Sequence, residues 1–395
     1  MAADTPSDRF EDVDWDEVGG QVGVRSPTQW AALVAFGAVA LSLVYDVFFA
    51  GGDPTFEFTV AGFEYVWDVT SVDWLFVTTL LVLFFYAVVP LAQNPRMTAY
   101  YWMEFKKNKP AVVSLGFLLV IFFVGTVGTV FIQPPELNVI ASYQPPVFAS
   151  VDASVPSSCV GDVTNGRCQG TWEYPLGTTG DGKGILKMVI FGMRVSMQVG
   201  LIAMLISIFI ATLVGATAAY AGGWVDEVLM RYVDIQLTFP TFFLFLFLAY
   251  LYGGSLFILI MIFGVTGWGG IARIIRSEAL QRNEEEYIRA AQSAGASGLY
   301  VVRRHMVPNV SNSIITAATL NIPILILSEA ALSFIGVGDV TVPSWGQVIA
   351  SGRGDLSTAW WISTIPGVFL FLTILAFNFL GDALRDALDP RQETQ

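Results

Sequence analysis

The sequence contains one histidine and two cysteines in 395 residues. A lone histidine cannot share a metal with other imidazoles, and His305 is read as a structural residue. No C-x-x-C, H-E-x-x-H or G-x-S-x-G spacing occurs either, so the usual zinc, thiol-redox and serine-nucleophile sites are excluded. Charge is sparse as well: 13 % of residues are charged and 54 % are apolar. That balance describes a polytopic membrane protein, not a soluble enzyme or a nucleic-acid binder. Lysine is scarce, and the acidic residues outnumber the basic ones to give a net charge of −13. The first residues carry acids from Asp4 to Glu17 but no apolar core, so they are no signal peptide. The first span is expected to act as the insertion signal instead.

Long apolar runs, by contrast, are abundant. Stretches at roughly 28–50, 74–93, 111–132, 188–220, 231–252, 254–275, 309–336 and 360–384 are each long enough to cross a bilayer, about eight spans in an all-α polytopic fold. The expected organisation is an acidic tail over 1–27, two spans over 28–93, and a basic loop with a further span over 94–132. A polar segment rich in Pro, Ser, Gly and Thr follows at 133–185, and a five-span core at 186–391. Lys and Arg concentrate on one side of this topology, from Arg96 and Lys106 to Arg303, Arg304, Arg385 and Arg391. By the positive-inside rule both termini are then cytoplasmic and 133–185 is external. Cys159 and Cys168 both fall in that segment. Two free thiols fit the spacing, and so does a disulfide, which an external location would preserve. The acidic excess falls in tails and loops, including Asp53, Glu57, Glu64, Asp68 and Asp73, and reads as a surface adapted to high salt, where screening makes dense charge tolerable.

The most informative stretch is 283–308, NEEEYIRAAQSAGASGLYVVRRHMVP, a charged interruption between two spans. Asn283 is expected to cap a helix, with Glu286 three residues on completing a capping box. Tyr287, Ala290, Ala291 and Ala294 recur at helical spacing as a small apolar face, and Gly295 is a natural stop. A second short helix is expected from about Ser297 to His305, before Pro308 opens the next span. Two short helices with a small-residue face are suited to docking against another protein.

Several blocks carry a resemblance. Ala290, Ala291, Gly295 and Pro308 fit the EAA loop of ABC importer permeases, with Arg289, His305 and Val307 in place of its Glu, Ile and Leu. Tyr-Pro-Leu-Gly-Thr at 174–178, Gly-Gly-Trp-Val-Asp-Glu at 222–227, Ser-Glu-Ala-Ala-Leu-Ser-Phe-Ile-Gly at 328–336 and Gly-Asp-Ala-Leu-Arg-Asp-Ala-Leu-Asp-Pro-Arg at 381–391 add to it. Over about 110–391 the chain resembles the C-type permease of dipeptide, oligopeptide and nickel ABC importers. The resemblance implies a type I permease core with two extra N-terminal spans. Glu286, Tyr287, Arg289, Ala290, Ala291, Ala294, Gly295, Arg303, Arg304 and Pro308 would couple to an ATPase. It also implies a second homologous permease, two ABC ATPase subunits that hold ATP and Mg, and an extracellular substrate-binding protein. No cofactor or nucleic acid is expected on this chain. Peptides are the expected cargo, with nickel complexes or oligosaccharides as alternatives. An ion-gradient secondary transporter and a membrane scaffold are the rivals from other classes.

Within the spans, Asn312, Thr316, Thr319 and Pro323 form a polar ridge, followed by Glu329. Such a ridge either lines a translocation path or bonds neighbouring helices. Arg194 and Glu329 are the deepest ionisable groups on the path and are expected to pair, since an isolated charge there costs several kcal/mol; direct contact with substrate is the alternative. Asp226, Glu227 and Asp234 are expected to support the 283–308 loop or the arginines near it. Gly177 to Lys183 imitates a phosphate-binding loop, but Gly184 stands where Ser/Thr should follow and no strand precedes it.

Overall fold

The computed structural model describes residues 26–49, 55–60, 63–67 and 69–388. The acidic residues from Asp4 to Glu17, with Asp53, Asp68 and Arg391, lie outside the described residues. Two compact units emerge, one formed by the chain up to Val69 with Leu80–Pro90, the other by Thr70–Thr79 with Leu91 onward.

The first unit holds α1, Pro27–Phe48. Its start is a reciprocal cap: the Ser26 hydroxyl accepts from the Gln29 amide, and the Gln29 side chain accepts from the Ser26 amide. Pro27 occupies the first turn, where its missing N–H leaves no bond unmade. None of its residues is buried within the chain, as suits an apolar helix bounded by lipid. Strands β1, Phe56–Val60, and β2, Phe63–Trp67, then pair antiparallel with Phe56 opposite Trp67.

Helix α2, Ser71–Gln93, begins in the second unit. The chain continues through α3, Pro95–Phe105, and α4, Lys109–Phe131. The polar segment that follows carries a small sheet of β3, Ser150–Asp152, β4, Val163–Thr164, and β5, Arg167–Gln169, with β5 in the middle. Cys159 and Cys168 are joined in a disulfide there. Thr178 ties this segment down: its hydroxyl accepts from the Gln144 amide at 2.8 Å, and its carbonyl accepts from the Trp361 indole at 3.0 Å.

The centre of the second unit is α5, Ile185–Ala221. At 37 residues it is roughly 55 Å long, well beyond the bilayer core. Small residues let α8, Leu256–Asn283, approach it closely. A Cβ on Gly215 would stand 2.6 Å from the Ala272 carbonyl, and the Ser207 hydroxyl donates to the Gly264 carbonyl at 3.0 Å. Between α5 and α8 lie α6, Gly223–Thr238, and α7, Thr241–Tyr252, bent by 70° at Phe239-Pro240. The run expected as one straight span over 231–252 is therefore broken, because Pro240 has no N–H to continue the ladder. Counting the bent pair as one span gives eight; the single helices long and apolar enough to cross number seven among the described residues. After the 283–308 region come α11, Ser311–Phe334, the short α12, Trp345–Ser351, and α13, Trp361–Leu388. Trp345 is fully buried, and its indole donates to the Val189 carbonyl at 3.0 Å, locking α12 against the start of α5.

Candidate functional site

The knuckle is built from α9, Glu286–Ser293, and α10, a helical run over 298–309 with one wide turn at Val302–Met306. Ile288, Val301, Met306 and Val310 are fully buried and face the rest of the chain. The opposite face is exposed: Tyr287, Arg289, Ala290 and Ala294 lie open, with Ala291 half-buried beside them. Arg303, Arg304, Pro308 and Glu286 are exposed as well. The helix stop falls at Gly295, with φ +85°. The Ala296 amide donates to the Ala291 carbonyl and the Gly295 amide to the Gln292 carbonyl, both at 3.0 Å, a Schellman closure that requires the left-handed residue.

The beginning of the knuckle differs from the expected capping box. Asn283 is the last residue of α8, not the cap of α9, because the span's helix runs on past the apolar region. Its side-chain amide donates to the Ala219 carbonyl of α5 at 3.4 Å, and Glu285 occupies the cap position without a side-chain bond. Gly298 lies so close to Tyr220 that a Cβ would come within 2.6 Å of its ring. The end of α8 and the start of α10 are thereby seated on the final turn of α5, with α9 held between them. The lone histidine is packed between rings, with Tyr287 at 6.2 Å and Tyr300 at 5.7 Å between centroids.

Ion pairs fasten the adjoining helices. Arg276 takes both carboxylate oxygens of Asp226, and Arg273 pairs with Asp234, joining α8 to α6. Glu227 meets Arg231, one turn along α6 at 3.8 Å, an exposed pair worth little. The first two carboxylates thus serve arginines at the root of the knuckle and not α9 itself.

The polar ridge of α11 is largely satisfied within the chain. Thr316 and Thr319 donate to the carbonyls of Asn312 and Ile315 one turn back, and the Asn312 amide donates to the Leu388 carbonyl of α13 at 2.9 Å. Pro323 is buried. Glu329 is 2 % exposed; Oε1 accepts from the Ser333 hydroxyl at 2.6 Å, while Oε2 makes no hydrogen bond of ordinary geometry among the described residues.

Arg194 does not pair with Glu329. Its guanidinium donates to Asp73 Oδ1 at 2.5 Å, and the Gln198 amide reaches the same oxygen at 2.8 Å. Asp73 was expected on an exposed, salt-adapted surface, yet it is 6 % exposed. It lies in the first turn of α2, where the Thr70 hydroxyl accepts from the Asp73 amide and Asp73 Oδ2 accepts from the Thr70 amide and hydroxyl. The signal was present as Thr70-Ser-Val-Asp73 ahead of an apolar run, a capping pattern that starts a helix. Spacing along the chain could not show that its free oxygen faces Arg194, 121 residues away.

The false phosphate loop is a packing device. A Cβ on Gly177 would stand 2.6 Å from the Trp361 indole nitrogen, and one on Gly182 would stand 1.7 Å from the Asn138 carbonyl. Its glycines admit neighbouring groups of this same chain.

A multi-pass helical membrane protein with an exposed two-helix knuckle seated on its longest span is the class this geometry defines. Residues 208–394 match the family described as binding-protein-dependent transport system inner membrane component, and residues 96–146 match the N-terminal TM domain of oligopeptide transport permease C. The chain is 37 % identical over 217 residues to the oligopeptide transport system permease protein OppC of Haemophilus influenzae, covering 55 % of this chain and 70 % of that one. It is 33 % identical over 293 residues to the dipeptide transport system permease protein DppC of Bacillus subtilis, covering 73 % of this chain and 84 % of the relative. A chain of the inward-facing MetNI methionine ABC transporter aligns with a TM-score of 0.43 at 18 % identity, covering 52 % of this chain and 98 % of that one. The chain belongs to the family of binding-protein-dependent transport system inner membrane components, the permeases of ABC importers with the type I fold. Its relatives are permease components, not catalytic subunits.

Proposed function

We propose that this chain forms half of the path of an ATP-driven peptide importer. A second, homologous permease supplies the other half, two ATPase subunits seat on the knuckles, and an extracellular binding protein delivers di- or oligopeptides. The chain itself binds no nucleotide; ATP and Mg belong to the ATPases. One observation carries this reading: Tyr287, Ala290 and Ala294 are exposed on a helix that buries Ile288 on its other face and lies between two fastenings to α5, Asn283 on Ala219 and Gly298 on Tyr220. Small side chains let a partner approach the backbone closely, and the anchoring transmits its movement to the spans. The cargo follows the printed names of relatives that are permeases of oligopeptide and dipeptide transport systems.

The basic residues gather at the knuckle's end of the topology, which supports a cytoplasmic knuckle, cytoplasmic termini and an external 133–185 segment. A net charge of −13 supports operation at high salt. The experiment is gentle purification of the tagged chain, identification of its companions, and reconstitution into vesicles with labelled peptides. A second permease, two ATPases and ATP-dependent peptide uptake that persists at molar salt are expected. A chain that purifies alone, or takes up peptide on an ion gradient without ATP, would overturn the reading.

A further inference from the structure

The cluster around Asp73 joins parts of the chain that the family matches leave apart. Both matched stretches, 96–146 and 208–394, exclude Asp73, Arg194 and Gln198. The carboxylate is nevertheless saturated: Oδ1 accepts from Arg194 and Gln198, and Oδ2 from the amide and hydroxyl of Thr70 at 3.2 and 3.0 Å. Arg194 and Gln198 are one turn apart on α5, so one acceptor grips two successive turns of the same face. Asp73 is the only acidic partner of Arg194 among the described residues.

A second helix touches α5 at the same level. A Cβ on Gly125 of α4 would lie 2.9 Å from the Arg194 backbone nitrogen and 2.9 Å from Met193 Cβ. Backbone contact from α4 and the Asp73 carboxylate from α2 therefore both engage the same turn of α5. Residues 70–79 accordingly belong to the same compact unit as α5, although the neighbouring hairpin does not.

We propose that Asp73 is a positioning residue of the permease. By fixing Arg194 and Gln198 it sets the first half of α5, and the opening turns of α2 are a required part of the translocation unit. The transport arm of its test rests on the importer function proposed above; the stability arm does not. Burial also makes the pair a poor target for screening, so its contribution persists at salt concentrations that cancel exposed pairs.

The test is a set of variants in the intact complex, reconstituted into vesicles: D73A, D73N, D73E, R194Q and D73N/R194Q. D73A and D73N leave Arg194 without its counter-charge, and peptide uptake per ATP hydrolysed is expected to fall about tenfold or more, equally at low and molar salt. D73E, which keeps the charge, is expected to stay within about threefold of the parent, and D73N/R194Q to recover to a similar level because neither charge is left unpaired. Wild-type uptake in D73A, or a defect that disappears at molar salt, would overturn the proposal. So would a double variant as inactive as R194Q while its complex is intact, since Arg194 would then act without Asp73. If D73A does not accumulate, recovery of folded D73N/R194Q in detergent decides: recovery supports the pair and its absence refutes it. If the parent complex takes up no peptide, the cargo reading fails. Thermal unfolding of the same variants still reads the pair, as a double variant less destabilised than the sum of the singles.

Discussion

Replacing Gly295 separates the cost of folding the knuckle from the cost of docking it. At φ +85° any L side chain pays the left-handed penalty, about 1–2 kcal/mol. A Cβ at that position meets nothing within 4 Å, so a methyl clashes with nothing in this chain and a larger side chain starts into open space. Gly295→Ala and Gly295→Trp should therefore lower the stability of the permease by the same amount, within about 0.5 kcal/mol. They differ only in what projects beyond the Schellman turn. If an ATPase closes over α9, an indole there must displace partner atoms, and a loss of about 3 kcal/mol beyond Gly295→Ala is expected, roughly a hundredfold in Kd. The assay is titration of purified ATPase against each detergent-solubilised variant, with thermal unfolding measured in parallel. Ala290→Trp, at an exposed helical position without the φ penalty, should reproduce the binding defect alone. Equal ATPase affinity for Gly295→Ala and Gly295→Trp, together with normal binding by Ala290→Trp, would refute docking through this face.

Other perturbations read the rest of the frame. Gly192→Ala would put a Cβ 2.3 Å from Trp345 Cδ1, expelling a buried indole and its bond to Val189; a loss of about 2–4 kcal/mol is expected from overpacking plus one hydrogen bond, visible as earlier thermal unfolding in detergent. Replacing Cys159 and Cys168 together by serine opens a short loop and should cost the polar segment about 2–3 kcal/mol, read as faster proteolysis within 133–185 without loss of the knuckle. Burial, and then the Asp355 carboxylate to which it donates, hold the Tyr143 hydroxyl above its ordinary value of 10.0. Because the folded value is raised, the neutral phenol stabilises the segment fully below about pH 10 and that contribution fades as pH climbs through the folded value. Proteolysis of the segment should therefore rise on the alkaline side in the parent and lose that step in Tyr143→Phe.

What could be read along the chain was whatever rests on period and local chemistry. The spans were legible because lipid demands about twenty apolar residues in sequence. The knuckle was legible because Tyr287, Ala290 and Ala294 repeat at helical spacing and Gly295 ends the run. Two further local signals lie in the sequence. Phe-Glu-Phe-Thr-Val and Phe-Glu-Tyr-Val-Trp alternate as strands do and pair as β1 and β2. Pro240 marked a break in an apolar run that looked continuous. Partnership across the fold was a different matter. Arg194 and Glu329 were matched by depth, the only coordinate that a hydropathy pattern supplies, while azimuth around α5 decides which carboxylate the guanidinium meets. Asp73 looked like one more surface acid because its neighbours along the chain are loop residues. Only the meeting of the first turn of α2 with Arg194 and Gln198 makes it an interior one.

The two ends of α5 now have distinct mechanical roles. Near its start, Asp73 grips Arg194 and Gln198, and Trp345 locks to the Val189 carbonyl. At its finish, Asn283 and Gly298 hold the knuckle against Ala219 and Tyr220, while Arg276 and Asp226 tie α8 to α6 beside it. One unbroken helix, free of internal proline, connects these fastenings. A helix that cannot bend at a proline hinge moves as a rod, so displacement at the knuckle must appear at the far end as rotation or sliding of whole packed helices. The broken pair α6/α7 and the proline-bearing α11 and α13 are where the surrounding spans can yield. Straightness in α5 and compliance in its neighbours are complementary: the first carries the movement, and the second lets the walls reshape without tearing the clamps. Relaxing the Asp73 clamp should therefore uncouple ATP hydrolysis from uptake while leaving ATPase docking intact, whereas bulk at Ala290 should abolish docking and leave the clamp untouched.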